Sequence, residues 1–476
     1  MKRFRDGITA AAAVLLAVCG LQTLDPVLSA APRAAGPETP SVPMSTTRTD
    51  GSWQVTITDL GLLPGGIYAS AYAINNTGKI VGMAYDAVGA LTTVQWVNGQ
   101  ISPISGLGAS AASVPEDIDD AGEIAGTLRI SNREYMGIYW NALNNPFQLP
   151  AIPGGTPILV RAHAINASGQ IAGLGQEGSP NYWGHAAVWL GNSFQTDLGF
   201  MGGGHYSEAY GINDLGDVVG VAEVASTAQH AFLWREGQYT DLSSWGGGAS
   251  SIAYAINNHG EIVGLNGGVA SLWKDGTVQA LPVPPGVSVY TPAIDINDAG
   301  DIIATGSKGY PFDVGVLWRN GAPIDLGTLP GGTISRARRL NARGEVVGEA
   351  NASSGGSFHA VKWVVTPLSS SVDHAVQQAP GDRPQPNAVR ITPSPFTTVT
   401  TLHVTLERAG AATVNVFDSA GRRVRQIAAG WLPRGEQAFT WDGRNDAGAA
   451  VPGGVYYVQV NGGTQTAGCA VVRISG

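Results

Sequence analysis

One phrase recurs seven times along the chain and limits what it can fold into more than any other feature. It reads AINNTGKIVG from Ala73, DIDDAGEIAG from Asp117, AINASGQIAG from Ala164 and GINDLGDVVG from Gly211. It continues as AINNHGEIVG from Ala255, DINDAGDIIA from Asp295 and RLNARGEVVG from Arg339, at spacings of 44, 47, 47, 44, 40 and 44 residues. The polar turn position holds Asn75, Asp119, Asn166, Asn213, Asn257, Asn297 and Asn341. Three residues later every copy has Gly: Gly78, Gly122, Gly169, Gly216, Gly260, Gly300 and Gly344. A Trp then follows in every copy: Trp96, Trp140, Trp189, Trp234, Trp273, Trp318 and Trp363. A fixed period of this length means that one supersecondary unit is stacked repeatedly.

Each copy reads as four strands. Asn-x-x-Gly suits a tight hairpin, because Asn bonds forward to the turn backbone and Gly accepts a positive φ. A small apolar strand precedes it, as in Ala71-Tyr72-Ala73-Ile74, and a β-branched strand follows, as in Ile80-Val81. A third strand ends at the Trp, and a fourth ends at Asp-Leu, as in Thr240-Asp241-Leu242. Four strands in about 44 residues is the size of one propeller blade. The last copy stops after Trp363 without its fourth strand. Val55-Thr56-Ile57-Thr58-Asp59-Leu60-Gly61, before the first copy, matches Ile324-Asp325-Leu326-Gly327. The phase therefore predicts a seven-bladed β-propeller over residues 53–366, closed by its N-terminal strand so that two sheet edges vanish. An open β-solenoid is the alternative, but it would not need the repeat split between the two ends.

These copies resemble the bacterial extracellular repeat family named for its His-Ala-Phe motif (the HAF repeat). His230-Ala231-Phe232-Leu233-Trp234 spells the motif, and His185-Ala186-Ala187-Val188-Trp189 and His359-Ala360-Val361-Lys362-Trp363 are variants. Asp325-Leu326-Gly327-Thr328-Leu329-Pro330-Gly331-Gly332 is also similar to that family's consensus. The resemblance implies an exported repeat protein and carries no established activity.

Both ends of the chain fit export. Lys2, Arg3 and Arg5 precede an apolar run from Ile8 to Leu21, and Leu28-Ser29-Ala30 offers a small-residue cleavage site. Residues 1–30 therefore read as a signal peptide and 31–52 as a flexible leader. A lipoprotein signal with Cys19 as the lipidated residue is the alternative, and Val18 is a poor match for it. No other segment is long and apolar enough to span a bilayer. Residues 367–386 read as a linker, and 387–476 as a small Ig-like β-sandwich. That last segment resembles the Ig-like domain of flagellar hook-assembly proteins and the related sorting domain of type IX secretion substrates. The matching residues are Pro395-Phe396, then Val416 to Arg422, Thr440-Trp441-Asp442-Gly443-Arg444-Asn445-Asp446-Ala447-Gly448, and Val451 to Tyr457. It departs from the family at Ser394, where Asn is usual before Pro-Phe. It also ends Val472-Arg473-Ile474-Ser475-Gly476, where sorting domains often end basic. Trp441 and Tyr456 are the expected core anchors, and the resemblance implies a role in export, anchoring or assembly.

Composition narrows the function. Only 13% of residues are charged, 66 of 476 are Gly, and the net charge is -9. That balance opposes nonspecific nucleic-acid binding, and two Cys cannot make a disulfide scaffold. No Ser-His-Asp grouping, His-Glu-x-x-His string or Walker loop occurs. Asp119, Asp120 and Glu123, and Asp295, Asn297, Asp298 and Asp301, are read as turn chemistry, with a calcium loop as the alternative, since their spacing does not match an EF-hand loop. His185, His230 and His359 share one repeat position and are read, like His163, as framework residues with structural hydrogen bonds.

Unrepeated aromatics remain in the loops of one face: Tyr85, Tyr135, Tyr182, Trp183, His205, Tyr206, Trp245 and Tyr310. Aromatics on a rigid scaffold stack on sugars or pack a protein partner, and the bland alternative is local packing of the loops. The expected ligand-binding residues are Tyr182, Trp183, His205, Tyr206, Trp245 and Tyr310, with no metal or cofactor. The chain is therefore expected to be a secreted or cell-surface, non-catalytic binding or structural protein. A carbohydrate or surface protein is its expected partner at the loops, and secretion machinery at the C-terminal domain. An extracellular polysaccharide hydrolase or lyase is the competing class. It would need two close carboxylates on the loop face.

Overall fold

The computed structural model describes residues 45–107, 113–131, 134–178, 183–224, 228–246, 248, 250–287, 291–309, 313–353, 356–368, 388–392, 396–406, 410–418, 422–433, 435–462 and 465–474. The chain forms two compact units, Met1–Ser371 and Val372–Gly476. The expected signal peptide, Cys19, the leader up to residue 44 and residues 369–386 of the linker lie outside the described residues.

The first unit is a seven-bladed β-propeller. Blade 1 runs Ala69–Ile74, Ile80–Tyr85, Leu91–Val97 and Gln100–Pro103 from axis to rim, in sequence order. The inner strands of blades 2 to 7 are Ser113–Ile118, Gly155–Ile165, Gly203–Ile212, Ser251–Ile256, Ala293–Ile296 and Ser335–Leu340. Blade 7 is completed from the other end of the chain. Trp53–Asp59 pairs antiparallel with Phe358–Pro367, in register from Trp53↔Pro367 to Asp59↔Val361. The split repeat does close the ring.

The leader reading needs correction at its end. Ser45–Asp50 is a fifth strand on blade 7, paired from Ser45↔Thr58 to Asp50↔Trp53. It carries no apolar residue, so no core-facing pattern marked it. Its three Thr favour extended backbone, and two side chains fasten it to blade 6. Arg48 donates to the Asp325 carbonyl at 2.5 Å, and Asp50 accepts from the Asp325 amide at 2.7 Å.

Three repeated devices hold the blades. The first is the Trp. Trp96, Trp140, Trp189, Trp273, Trp318 and Trp363 are fully buried, while Trp234 is half-buried. Trp96 donates through Nε1 to the Leu60 carbonyl at 3.0 Å, and Trp140, Trp189 and Trp318 likewise bond Ser105, Pro150 and Pro282. Each indole thus pins the chain arriving from the preceding blade. Gly82 leaves room for one of them, since a Cβ there would lie 3.0 Å from the Trp96 ring. The second device is the turn Asn. Asn75 Oδ1 accepts from the amides of Thr77 at 3.1 Å and Lys79 at 2.9 Å, with Gly78 at φ 87°. Its Nδ2 donates to the carbonyl of Asp119, the equivalent residue of the next blade, at 2.9 Å.

The third device joins the neighbouring turn position. The amides of Asn76, Ala167, Asp214, Asn258 and Ala342 donate to Asp120, Asp214, Asn258, Asp298 and Asn76 of the following blades. Ala167 and Ala342 have no acceptor to offer the blades before them. In those two preceding blades, and only there, the residue two before the turn is Asp. Asp117 accepts from Ile165 at 3.0 Å, and Asp295 from Leu340 at 2.9 Å. One clasp substitutes for the other.

The second unit is a two-sheet sandwich. Ala388–Thr392, Thr400–Leu406 and Gly435–Trp441 form one sheet. Arg423–Leu432, Gly410–Phe417, Gly454–Gly462 and Gln465–Arg473 form the other, in that order. Leu402, Val404, Val414, Val416 and Val458 fill the space between them. As expected, Trp441 and Tyr456 anchor this core: their rings meet edge to face at 5.2 Å. Trp441 also donates to the Arg444 carbonyl at 3.0 Å.

Candidate functional site at the propeller axis

All seven inner strands share one irregularity. Each skips a residue against its neighbour, three positions before the turn: Tyr72, Glu116, His163, Tyr210, Tyr254, Ile294 and Arg338. Such a bulge re-aims side chains, here at the innermost strand of every blade. The sequence reading of this strand as simply small and apolar therefore misses the chemistry of the axis.

Two polar networks stand there. In the first, from blades 3 and 4, Glu208 is the centre. His163 Nε2 lies 2.8 Å from its Oε1, Arg161 Nη1 lies 3.4 Å away, and the hydroxyls of Tyr210, at 3.0 Å, and Tyr206 donate to its Oε2. Burial raises the proton affinity of Glu208, but His163, Arg161 and Tyr206 outweigh it and hold the carboxyl down at about 2. In the second, from blades 7 and 1, Glu349 takes Arg336 at 3.1 Å and the Tyr68 hydroxyl at 3.2 Å. Arg338 stacks over the Tyr72 ring at 4.3 Å. Burial raises Glu349, and the two arginines more than reverse it.

Glu116 of blade 2 differs from both. No direct hydrogen bond reaches its carboxyl from a described residue, and burial raises its proton affinity against His163, Arg339 and Arg338. Nearer the turns, Asp117, Asp295 and Arg339 face Ala164, Gly211 and Ala255 across a cavity of about 230 Å³. Burial pushes Asp295 up to about 6. Arg161, Arg338 and Arg339 keep 20–22% of their side-chain surface accessible although they stand at the centre of the ring. Solvent therefore reaches all three at the axis.

The loop-face residues are only partly gathered. Trp183 and His205 stack at 4.5 Å with their planes 13° apart, and Phe200 meets Trp183 edge-on at 5.7 Å. Tyr206 is the neighbour of His205, and its hydroxyl enters the Glu208 network. Trp183, His205 and Phe200 form one aromatic cluster, whereas Tyr206 packs with Tyr210, Val221 and Ile252. Trp245 packs instead with Leu242 and Trp273 in the core between blades 4 and 5. Tyr182 and Tyr310 lie outside the described residues. Tyr85 meets Tyr68 edge-on at 5.6 Å, and Tyr135 lies under Arg161 at 4.1 Å.

The framework histidines make the expected structural bonds, each through Nδ1. His185 lies 2.9 Å from Asp197, His230 2.8 Å from Asp241 and His359 2.7 Å from Asp59. Asp119 caps its own turn, and Asp298 accepts from the preceding blade. No group of three His, Cys, Asp or Glu suited to a metal occurs among the described residues.

The sequence held a signal for the axis that the reading above did not use. The strands VPEDI, RAHAI, SEAYGI and SRARRL put charges where Ala71-Tyr72-Ala73-Ile74 has small residues. Arg161, Glu208 and Arg338 were missed for that reason, while Glu349 stands on the second strand of blade 7 and carried no such signal.

The sandwich topology, the Trp441 anchor and the Asp442 to Gly448 turn together decide the C-terminal unit. Residues 392–466 match the FlgD Ig-like domain family. The basal-body rod modification protein FlgD of Salmonella typhimurium is 40% identical over 73 residues, 14% of this chain and 32% of that protein. The FlgD of Salmonella typhi matches equally. The chain thus spans about a third of these relatives. Among solved structures, PorZ is similar over 91% of this chain and 58% of its own, at 11% identity and TM-score 0.29. It is described as an essential bacterial surface component of the type-IX secretion system of Porphyromonas gingivalis. YCF48 bound to D1 peptide is similar over 67% of this chain and 98% of its own, at 12% identity and TM-score 0.37. No helix is long and apolar enough to cross a membrane among the described residues.

Proposed function

We propose that this chain is a secreted or cell-surface binding protein without catalytic activity. The propeller would take a carbohydrate or a surface protein at its loop face, and the FlgD Ig-like domain would serve export, anchoring or assembly. The observation that carries this reading is the Trp183–His205 stack, whose chain neighbour Tyr206 bonds Glu208, one of two axial carboxylates, with Glu349, that are already hydrogen-bonded. A flat aromatic platform next to fixed polar groups suits a sugar ring. The test is a glycan array probed with the full chain and with Trp183→Ala. Retention of a glycan that is lost in the variant supports the reading. Retention unchanged by the variant removes the platform from it.

Glu116 favours a second reading, an extracellular hydrolase or lyase. Glu116, raised by burial, and Glu208, held at about 2, share His163 as a neighbour, and an acid and a base set apart by their surroundings is what a glycosidase needs. Incubating oligosaccharides with the wild type and Glu116→Gln separates the two: turnover abolished by the substitution supports an enzyme, and intact sugars support binding alone.

The C-terminal role is tested by deleting residues 388–476 and following export and surface retention. Loss of either supports it, and normal behaviour of both removes it.

A further inference from the structure

The turn Asn side chains form a ring of inter-blade hydrogen bonds on the face opposite the loops. Nδ2 of Asn75 donates to the carbonyl of Asp119, Asn166 to Asn213, Asn213 to Asn257, Asn257 to Asn297, Asn297 to Asn341, and Asn341 back to Asn75. These six bonds measure 2.9–3.2 Å. The seventh, from blade 2 to blade 3, is missing because Asp119 stands where the other copies have Asn. Its Oδ1 still caps the turn, accepting from the Glu123 amide at 2.8 Å. Its Oδ2 replaces the donating amide nitrogen, and no described residue bonds it. Asp119 is only 6% exposed. The same seam also lacks the neighbouring link, since Ala167 has no side-chain acceptor. No other pair of blades lacks both.

We propose that a proton on Asp119 supplies the seventh link: the protonated carboxyl donates from Oδ2 to the Asn166 carbonyl, and its ionisation opens the turn-face latch between blades 2 and 3. An ionised Oδ2 and a carbonyl oxygen repel each other, whereas a carboxylic acid reproduces the geometry of the amide. The surroundings favour the proton. Burial is the largest influence and pushes Asp119 up to about 6, with the Glu123 carboxylate adding to it and the turn amides opposing.

The groups that face Asp119 are few. From its own hairpin come Glu123 and the Tyr139 hydroxyl, which donates to Glu123 Oε1 at 2.6 Å. Blade 1 brings Asn75 and Lys79, whose ammonium bonds the Gly122 carbonyl at 3.3 Å and Asn144 Oδ1 at 2.9 Å. Asp120 is adjacent but engaged by Asn76 through both oxygens. Asp117 lies two residues away and is engaged by Ile165. Blade 3 brings Asn166. Lys79, being tied to two acceptors of its own, does not replace the missing link.

A carboxyl that binds its proton more tightly folded than unfolded stabilises the fold fully at low pH. That gain is lost as pH rises from about 4, its unfolded value, through about 6. Asp117, Glu116 and Asp295 are also raised by burial. The readout is therefore a difference between variants.

The experiment is thermal unfolding of the full chain from pH 4.5 to 8.5 for the wild type, Asp119→Asn and Asn257→Asp, each with and without added calcium or sodium. Asp119→Asn is expected to melt a few degrees above the wild type at pH 8 and to converge with it near pH 5. Asn257→Asp is expected to acquire a further loss of melting temperature above pH 6. Parallel pH profiles for the wild type and Asp119→Asn would overturn the proposal. So would a rise in melting temperature with calcium or sodium that Asp119→Asn abolishes, because a metal cation would then bridge those oxygens. If Asp119→Asn does not fold, an unaltered pH profile in Asn257→Asp overturns the proposal by itself.

Discussion

The side-chain amide of Asn341 donates to the main-chain carbonyl of Asn75 across 3.2 Å, although 266 positions separate them in the chain. The last repeat thereby grips the first with the bond that joins five other successive pairs. Oδ1 of Asn341 meanwhile caps its turn, accepting from Arg343 at 3.1 Å and Glu345 at 3.0 Å. Replacing it with Ala strands these two amides and removes one of the two donors to the Asn75 carbonyl, which keeps the Gly78 amide at 3.1 Å. Leaving buried polar groups unpaired costs about 1–3 kcal/mol each, with some relief from water at the turn. Asn341→Ala should lower the unfolding free energy by about 2–4 kcal/mol in urea titrations. An unchanged midpoint would remove the ring from the account of stability.

Closure by the N-terminal strand makes a second prediction. Ile57 is 2% exposed and packs with Trp363, Val346 and Leu326. Ile57→Ala should cost about 2–5 kcal/mol, as buried aliphatic truncations do. Val88, at 88% exposure, is the control, and Val88→Ala should shift stability by no more than about 0.5 kcal/mol. Equal effects would mean that the closing strand contributes nothing beyond the surface.

Acid should undo the blade 3–4 network. Glu208 is held at about 2 in the fold, below the ordinary carboxylate value of about 4.3. A lowered carboxyl contributes stability above its unfolded value, and that stability is lost as pH falls from about 4 toward 2. Because Glu208 is fully buried, the contribution at neutral pH is on the order of 3 kcal/mol. Glu208→Gln should unfold more readily at pH 7 and show a shallower decline between pH 4.5 and 2.5. A decline as steep as that of the wild type would assign the acid sensitivity elsewhere.

Much of this architecture follows from repeat chemistry that a single copy displays. Asn75, Gly78 and Trp96 each announce a local role, and the split of the seventh blade follows from the phase of Asp59-Leu60-Gly61. Other features depend on what lies across a blade boundary, which one copy does not contain. The donor from Asn75 to Asp119 exists only because the blades stand at one angle to each other. The shared bulge is hidden because Tyr72 and Ala73 both suit an ordinary apolar strand, and it is what admits Glu116, His163 and Arg338 to the axis. His359 was legible as a hydrogen-bonding residue, but its partner Asp59 is 300 positions away. Trp183 and His205 were legible as unrepeated aromatics, while their stacking depends on where the end of the blade 3 loop meets the start of the strand Gly203–Ile212 of blade 4. Ser45–Asp50 escaped notice because its pairing rests on Thr backbone and on Asp325, with no apolar side to bury.

Two tryptophans of the C-terminal Ig-like sandwich should behave oppositely. Trp441 is 1% exposed between the sheets, whereas Trp431 is 70% exposed on the strand Arg423–Leu432. Trp441→Ala should cost about 3–5 kcal/mol, and Trp431→Ala less than about 0.5 kcal/mol. Chemical denaturation followed by circular dichroism separates them, and a large loss from Trp431→Ala would contradict the sandwich packing.

The most direct test of the account is equilibrium binding of the array's best-retained glycan to the full chain, to Trp183→Ala and to the chain lacking residues 388–476. Trp183→Ala should lose about tenfold in affinity or more, the deletion should bind unchanged, and the sugar should be recovered intact. Binding that ignores Trp183→Ala, or that disappears with the C-terminal domain, would overturn the placing of the site on the propeller's loop face.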